Sequence, residues 1–514
     1  MKKTFIRNRK VRYASITVVL TVLVITVTVL ANAVFSTLAK RYTWYSYMIS
    51  EGSYDVTEDC YTLLGEAFAQ VPSKEVEIIF CDLPNEKNAM EDSTLDYVYQ
   101  TALSLAARYP ERIRVTCHDI WTNPTTVKQY NTMKDPFTGE TSEISIKSTS
   151  VILVGEDYHR VYSYQEFFVF SNDADTSSVW AYNGEKKLAA GILRAINADS
   201  QVVCLTNNHG EAFYDYELLY LLDDAGYTIR YIDLHHEEIP ENCRLIISYN
   251  PNSDLIADAV SAKSEIEILE TFLSKEGNSF LVMIENGTPS LPNLESFLES
   301  WGVDCDYYTD RTTERAYRYM VQDAAQSLTS DGYTIYGEAV GEGKSATILE
   351  GLERPVVFKN ATALSAAQGF VNNGDGSFTK ENRTLYSLYE SSDGSSCWAN
   401  GKVVDGGNAM LMTLTEQTLT NGSSHVGVIA SSDFSEKTFL QSAVYGNTDT
   451  LLRTLDHVGK DLVPEGLTIK PFSSTEISTI TTSQMLRWTL VLSLTPAVVI
   501  TLLGIGILVK RRRA

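Results

Sequence analysis

Hydrophobic positions along the chain fall into three regimes. Residues 13–39 run about 27 positions without a charge, and residues 488–509 repeat this near the other end. At ~1.5 Å of rise per residue, about 20 apolar residues cross a bilayer, so both stretches predict membrane helices. Between them the pattern breaks into short runs. "EVEIIFCD" (Glu75 to Asp82) predicts a strand, and "STLDYVYQTALSLAARY" places Leu95, Val98, Ala102, Leu105 and Tyr109 at helical spacing. "RIRVTCHD" alternates Ile113, Val115 and Cys117 as a half-buried strand does, while "TSVILVG" and "HRVYSYQEFF" suggest a closing hairpin. Strand, helix, strand and hairpin over residues 41–182 predict a thioredoxin-like α/β domain. It lacks the CxxC that redox chemistry needs.

A helix opens the next unit, residues 183–472. "QVVCLT", "YTIRYIDL", "CRLIISYN" and "NSFLVMIE" predict strands, alternating with helices that stop at Gly226, Gly277 and Gly302. Such alternation gives a parallel sheet wound on both sides, flavodoxin- or amidotransferase-like in outline. Periodicity fades over residues 303–403, which are rich in Gly, Ser, Asn and Asp and are expected to form inserted loops and hairpins. "HVGVIASSDF" restores strand character, and a polar linker, residues 473–487, leads to the second apolar run. The fold class is therefore α/β, with two membrane helices flanking two folded units.

Charge adds an orientation. Lys2, Lys3, Arg7, Arg9, Lys10 and Arg12 crowd the tail of residues 1–12, and Lys510, Arg511, Arg512 and Arg513 fill residues 510–514. Basic flanks stay in the cytoplasm, so both tails are expected inside and the folded body outside. "ANA" at Ala31 to Ala33 resembles a signal-peptide cleavage site. The apolar run is longer than the roughly 7–15 residues of such peptides, however, and an uncleaved anchor is the expectation. All 65 acidic residues lie between the two ends of a chain whose net charge is −23. A body this acidic repels nucleic acid and anionic head groups. The seven cysteines show neither metal nor redox spacing. A disulfide framework is not expected, although one pair such as Cys81 with Cys117 stays open.

Candidate chemistry centres on "LTNNHGEAFYD", where Asn207, Asn208, His209, Gly210 and Glu211 follow a strand. His and Glu two positions apart could do acid–base work, but no partner nucleophile or metal set accompanies them. The structural reading has a mechanism: Asn tolerates a left-handed turn, Gly210 allows close approach, and Glu211 suits the first turn of the following helix. That turn is favoured as structural, a pocket at best. "GEAVGEGKS" ends like a phosphate loop, but Glu338 stands five positions before Gly343 where a glycine is required. His235 and His236 sit side by side in a segment read as extended, where neighbouring side chains diverge. No GxSxG elbow occurs, and "SFLVMIE" runs into Glu285, Asn286 and Gly287 where a hydrolase would want Ser or Cys. No catalytic residue, cofactor or metal is therefore expected.

From end to end the chain resembles the gliding-motility GldG-like auxiliary components of ABC-2-type transport systems. The family's "TGHGE"-type turn is Asn207 to Glu211 here, with Asn208 in place of the glycine before the histidine. Further similarity lies in "AGYTIRYIDL", Ile239–Pro240, Pro251, "SEIEILETFLSKEGNSFLVMI" and "PNLESFLESWGVD". It continues through "SSDF" at Ser431 to Phe434, Gly446–Asn447, "IKP" at Ile469 to Pro471 and the closing "KRRR". The resemblance implies a bacterial plasma-membrane protein with two spans and no established catalytic activity, a partner of an ABC ATPase and an ABC-2 permease. The acidic body would then dock on the permease or handle cargo. The rivals are a membrane-anchored ectohydrolase using His209 and Glu211, and an envelope sensor or adhesion module.

Overall fold

The mostly buried apolar run Val76–Phe80 (β1) pairs in parallel with the edge strand Ile113–Cys117 (β2), of which only Ile113 is fully buried, in the first sheet. Strands Ser150–Val154 (β3) and His159–Ser163 (β4) add to the other side of β1, each antiparallel to its neighbour, giving the order β2-β1-β3-β4. Helices Glu58–Gln70 (α1), Ser93–Arg108 (α2) and Gly184–Ile196 (α3) supply its core. Asp92 starts α2 by accepting the Thr94 and Leu95 amides at 2.8 and 3.2 Å. Leu95, Val98, Ala102 and Leu105 then face inward, as their spacing predicts. The computed structural model describes residues 55–472 except 87, 91, 135–140, 157, 171–178, 197–200, 212–215, 258–263, 443, 460–461, 465 and 468. The expected membrane helices, the linker and both tails lie outside the described residues, among which no helix is long and apolar enough to cross a membrane.

Short strands Phe168–Phe170 (β5) and Val179–Tyr182 (β6) lead into α3. The chain then builds its second sheet. Val202–Thr206 (β7), Thr228–Ile232 (β8), Cys243–Tyr249 (β9) and Ser279–Met283 (β10) are parallel. Thr334–Ala339 (β11), Val356–Lys359 (β12), Arg383–Glu390 (β13) and Met410–Thr418 (β14) follow in sequence, and Ser423–Ile429 (β15) returns beside β10 in parallel. The parallel strands lie in the order β8-β7-β9-β10-β15, and antiparallel β14, β13, β11 and β12 continue the sheet from β15. The protein is thus mixed α/β with a central parallel sheet. Both β7 and β10 are buried along their whole length, which explains why they read as unbroken apolar runs. Helices Glu217–Asp224 (α4) and Asn447–His457 (α9) join Val203 and Leu205 in one core, whereas Glu265–Leu273 (α5) and Pro292–Ser300 (α6) join Cys204 and Val282 in the other.

Two features differ from the sequence expectation. Residues 303–403, read as loops and hairpins, also contribute β11, β12 and β13 to the main sheet. β11 pairs with β12 and β13 with β14 across long intervening segments rather than tight hairpin turns, so the turn signals that mark strand pairs are missing. Secondly, α3 was expected to open the second domain at residue 183, yet Leu188, Ile192 and Ile196 pack with Leu64 and Leu105 of the first core. Gly191 permits this: a Cβ there would meet the Tyr162 hydroxyl at 2.7 Å and Leu153 Cδ1 at 2.8 Å. Gly191→Ala is accordingly expected to destabilise by roughly 1–3 kcal/mol through overpacking, read as a lower urea midpoint with an unchanged slope. All seven cysteines are free, and the one pairing left open by the sequence, Cys81 with Cys117, is not formed. Cys81 and Cys117 end neighbouring strands but face opposite cores, Cys81 with Ile79 and Val127, Cys117 with the layer holding Tyr99.

Two sets of charges tie the elements together. Asp223 and Asp224 end α4 against α3: Asp224 pairs with Lys187 at 2.7 Å, and Asp223 lies 3.6 Å from Arg194 and against Arg160 of β4. In the first turn of α3, the buried Glu185 accepts from the Thr57 amide at 2.7 Å and its hydroxyl at 2.5 Å. Lys470 reaches the same carboxylate at 2.5 Å and also bonds the Asp55 carbonyl. Lys470 belongs to Lys470–Pro471 (β16), which pairs antiparallel with β6.

Candidate functional site

The parallel strands end together, so the residues that follow them share one edge. In the 2-1-3-4-5 order, that edge opens between β7 and β9, where the strand order reverses. The opening turn sits there. The Asn207 amide bonds the Ile232 carbonyl of β8 at 3.0 Å, while its Oδ1 is buried without a partner. Asn208 takes φ +76° and its side-chain amide bonds Asp233. Gly210 takes φ +74°, and a Cβ there would lie 3.1 Å from the Asn252 Cβ, so a left-handed position stands on either side of the histidine.

His209 is 5% exposed and clamped. Its Nε2 is 3.0 Å from Glu265 Oε2 on the first turn of α5, and its Nδ1 is 3.4 Å from Glu211 Oε1, close enough for an ion pair but not aligned as a hydrogen bond. The His209 carbonyl accepts the Asn252 and Ser253 amides at 2.7 and 2.8 Å, binding the turn to the loop after β9. Glu211, then Glu265, push the imidazole up to about 10, against the opposing effect of burial. Glu211 itself lies below the usual carboxylate range: burial raises it, but bonds from His209 and Thr206 outweigh that.

Glu211 was expected in the first turn of the next helix. It instead stands six positions before Glu217, where α4 begins, and folds back to accept the Thr206 hydroxyl at 2.7 Å and the His209 amide at 2.8 Å. With those two donors the carboxylate closes its own turn. Sequence reasoning also missed Glu265. Its place after the Ser264 cap suits a helix dipole, but nothing local marks it as the partner of a histidine 56 residues away.

Next along the edge, Glu285 accepts the Asn250 side-chain Nδ2 at 3.2 Å and the Ser432 hydroxyl at 2.6 Å. Thr288 bonds Asn250 Oδ1 at 2.7 Å. These residues continue one bonded rim across β9, β10 and β15. The other motifs resolve similarly. His235 and His236 lie on a turn rather than in an extended segment, so their rings come to 4.8 Å instead of diverging, and His236 pairs with Asp233 at 2.8 Å. Lys344 of the phosphate-loop look-alike pairs with Glu416, and the preceding strand β11 is antiparallel to its neighbours. Among the described residues, no group of three or more His, Cys, Asp or Glu is arranged to hold a metal ion.

As chemistry, the turn holds a buried imidazolium between two carboxylates. Such a group cannot accept a proton near neutrality. No protein-family model and no curated protein matches the chain. One solved structure, the mmIFT52 N-terminal domain, is similar at 14% identity over 51% of this chain and 97% of its own, with a TM-score of 0.34. Likeness at that level carries no functional argument.

Proposed function

We propose that the chain is a membrane-tethered, non-catalytic auxiliary subunit of a bacterial ABC-2-type transport system, its body docking on the outer face of the permease. The resemblance to GldG-like components supplies the transporter. The observation that carries the reading is the Glu185 clamp: Thr57 and Lys470 meet on one carboxylate, so the described body begins and ends at one place, which suits attachment through both of its ends. The order β2-β1-β3-β4 supports a thioredoxin-like first unit, and the 2-1-3-4-5 order supports a flavodoxin-like second one. An ectohydrolase built on His209 and Glu211 draws less support, because an imidazolium cannot serve as the general base and the Glu211 carboxylate is already taken up by the Thr206 hydroxyl and the His209 amide. The test is co-purification of the full chain from native membranes in mild detergent. An ABC ATPase and a multi-span permease should accompany it; recovery of the chain without either overturns the proposal.

A further inference from the structure

A cavity of about 330 Å³ opens between β5, α3, α4 and the short helix Lys437–Leu440 (α8). That volume falls at the lower end of small-ligand sites. Two polar groups of α3 line it without partners. Lys186 is 6% exposed, and among the described residues it makes no ion pair and no hydrogen bond. Asn183 Oδ1 is buried and also unpartnered. Burying an ammonium alone is costly, and natural proteins pair such groups.

The acids facing Lys186 do not serve as partners. Asp224 takes Lys187 through both oxygens at 2.8 and 2.7 Å, Glu217 accepts Gln441 Nε2 at 2.7 Å, and Asp449 lies 3.6 Å from Arg354. Burial lowers the Lys186 pKa although these acids oppose it. Asn183 and Lys186 also flank the start of a 13-residue helix, where free amides and the dipole favour an anion. The remaining walls include Phe168, Phe170, Leu221, Leu440 and Ile469.

We propose that this cleft binds a small monocarboxylate that carries a hydrogen-bond donor beside the carboxylate and an apolar substituent: a 2-amino or 2-hydroxy acid. The carboxylate meets the Lys186 ammonium, a turn of the Asn183 side chain brings its closed-off Oδ1 to the donor, and the substituent lies on the phenylalanine and leucine wall. Glu166, Glu217 and Asp224 in the same lining disfavour a dianion such as phosphate. The inference stands apart from the transporter reading, since it uses only α3 and its surroundings.

The test is calorimetric titration of the detergent-solubilised full chain with L-leucine, 2-hydroxyisocaproate, isocaproate and inorganic phosphate. Binding of leucine or the hydroxy acid is expected, and which of them binds tells the amine from the hydroxyl source. Isocaproate, lacking the donor, should bind about tenfold more weakly. Lys186→Met should weaken binding by about ten- to a hundredfold while its melting temperature stays level or rises, because no partner is left unpaired. Absence of binding by both acids, binding unchanged in Lys186→Met, or phosphate binding as tightly as the acids overturns the proposal. A fall in the Lys186→Met melting temperature together with full binding would make the lysine structural and overturn it equally.

Discussion

Glu265→Ala is expected to lose roughly 3–5 kcal/mol of stability, the usual consequence of removing one partner from a buried charge pair. The His209 imidazolium would then keep only Glu211, to which it is not aligned as a hydrogen bond. Because the folded imidazole titrates near 10, above its ordinary 6.5, its contribution is complete below about 6.5 and is lost as the pH rises through about 10. Glu211 has the opposite sign: its contribution is present above the ordinary carboxylate value and is lost as acid reaches its lowered one. Urea unfolding between pH 6 and pH 10 should therefore show a decline in the natural chain that is smaller in the variant. A variant as stable as the natural chain would refute the structural role of the clamp. An enzyme would show the reverse pattern, with turnover lost and the fold intact.

Asp223→Ala should be comparably damaging, again roughly 3–5 kcal/mol. The carboxylate is 2% exposed and faces both Arg160 and Arg194, so its removal leaves two guanidinium groups with less compensation. These residues join β4 and α3 to α4. Loss should therefore separate the unfolding of the two sheets as well as lower the first midpoint. Differential scanning calorimetry reads this directly: one transition in the natural chain, two in the variant. A single transition at the original temperature would show that the aspartate does not hold the sheets together.

Much of the fold could be read from the chain because its central elements are locally consistent. The strands β7, β9 and β10 are apolar runs, their helices stop at Gly226, Gly277 and Gly302, and all three glycines adopt positive φ. The turn at Asn207 to Glu211 was visible for the same reason: it follows a buried strand, and its left-handed residues are of the types that tolerate that geometry. What stayed hidden depends on distance. Glu265 meets His209, and β13 meets β14, only once the sheet exists. The placement of α3 was hidden differently. Its Leu188 and Ile192 mark a buried face but not the sheet that buries it, and the deciding residue, Gly191, acts by what it lacks.

The clamp at Glu185 also gives the body a mechanical character. Tension applied between Asp55 and Lys470 runs through the ammonium bridging them and through the carboxylate shared with Thr57. Neither large sheet lies on that path. The two-residue pairing of β16 with β6 is loaded next. Relative movement of the two attachment points is therefore taken up in a small latch, and the folded body behind it is shielded from the load.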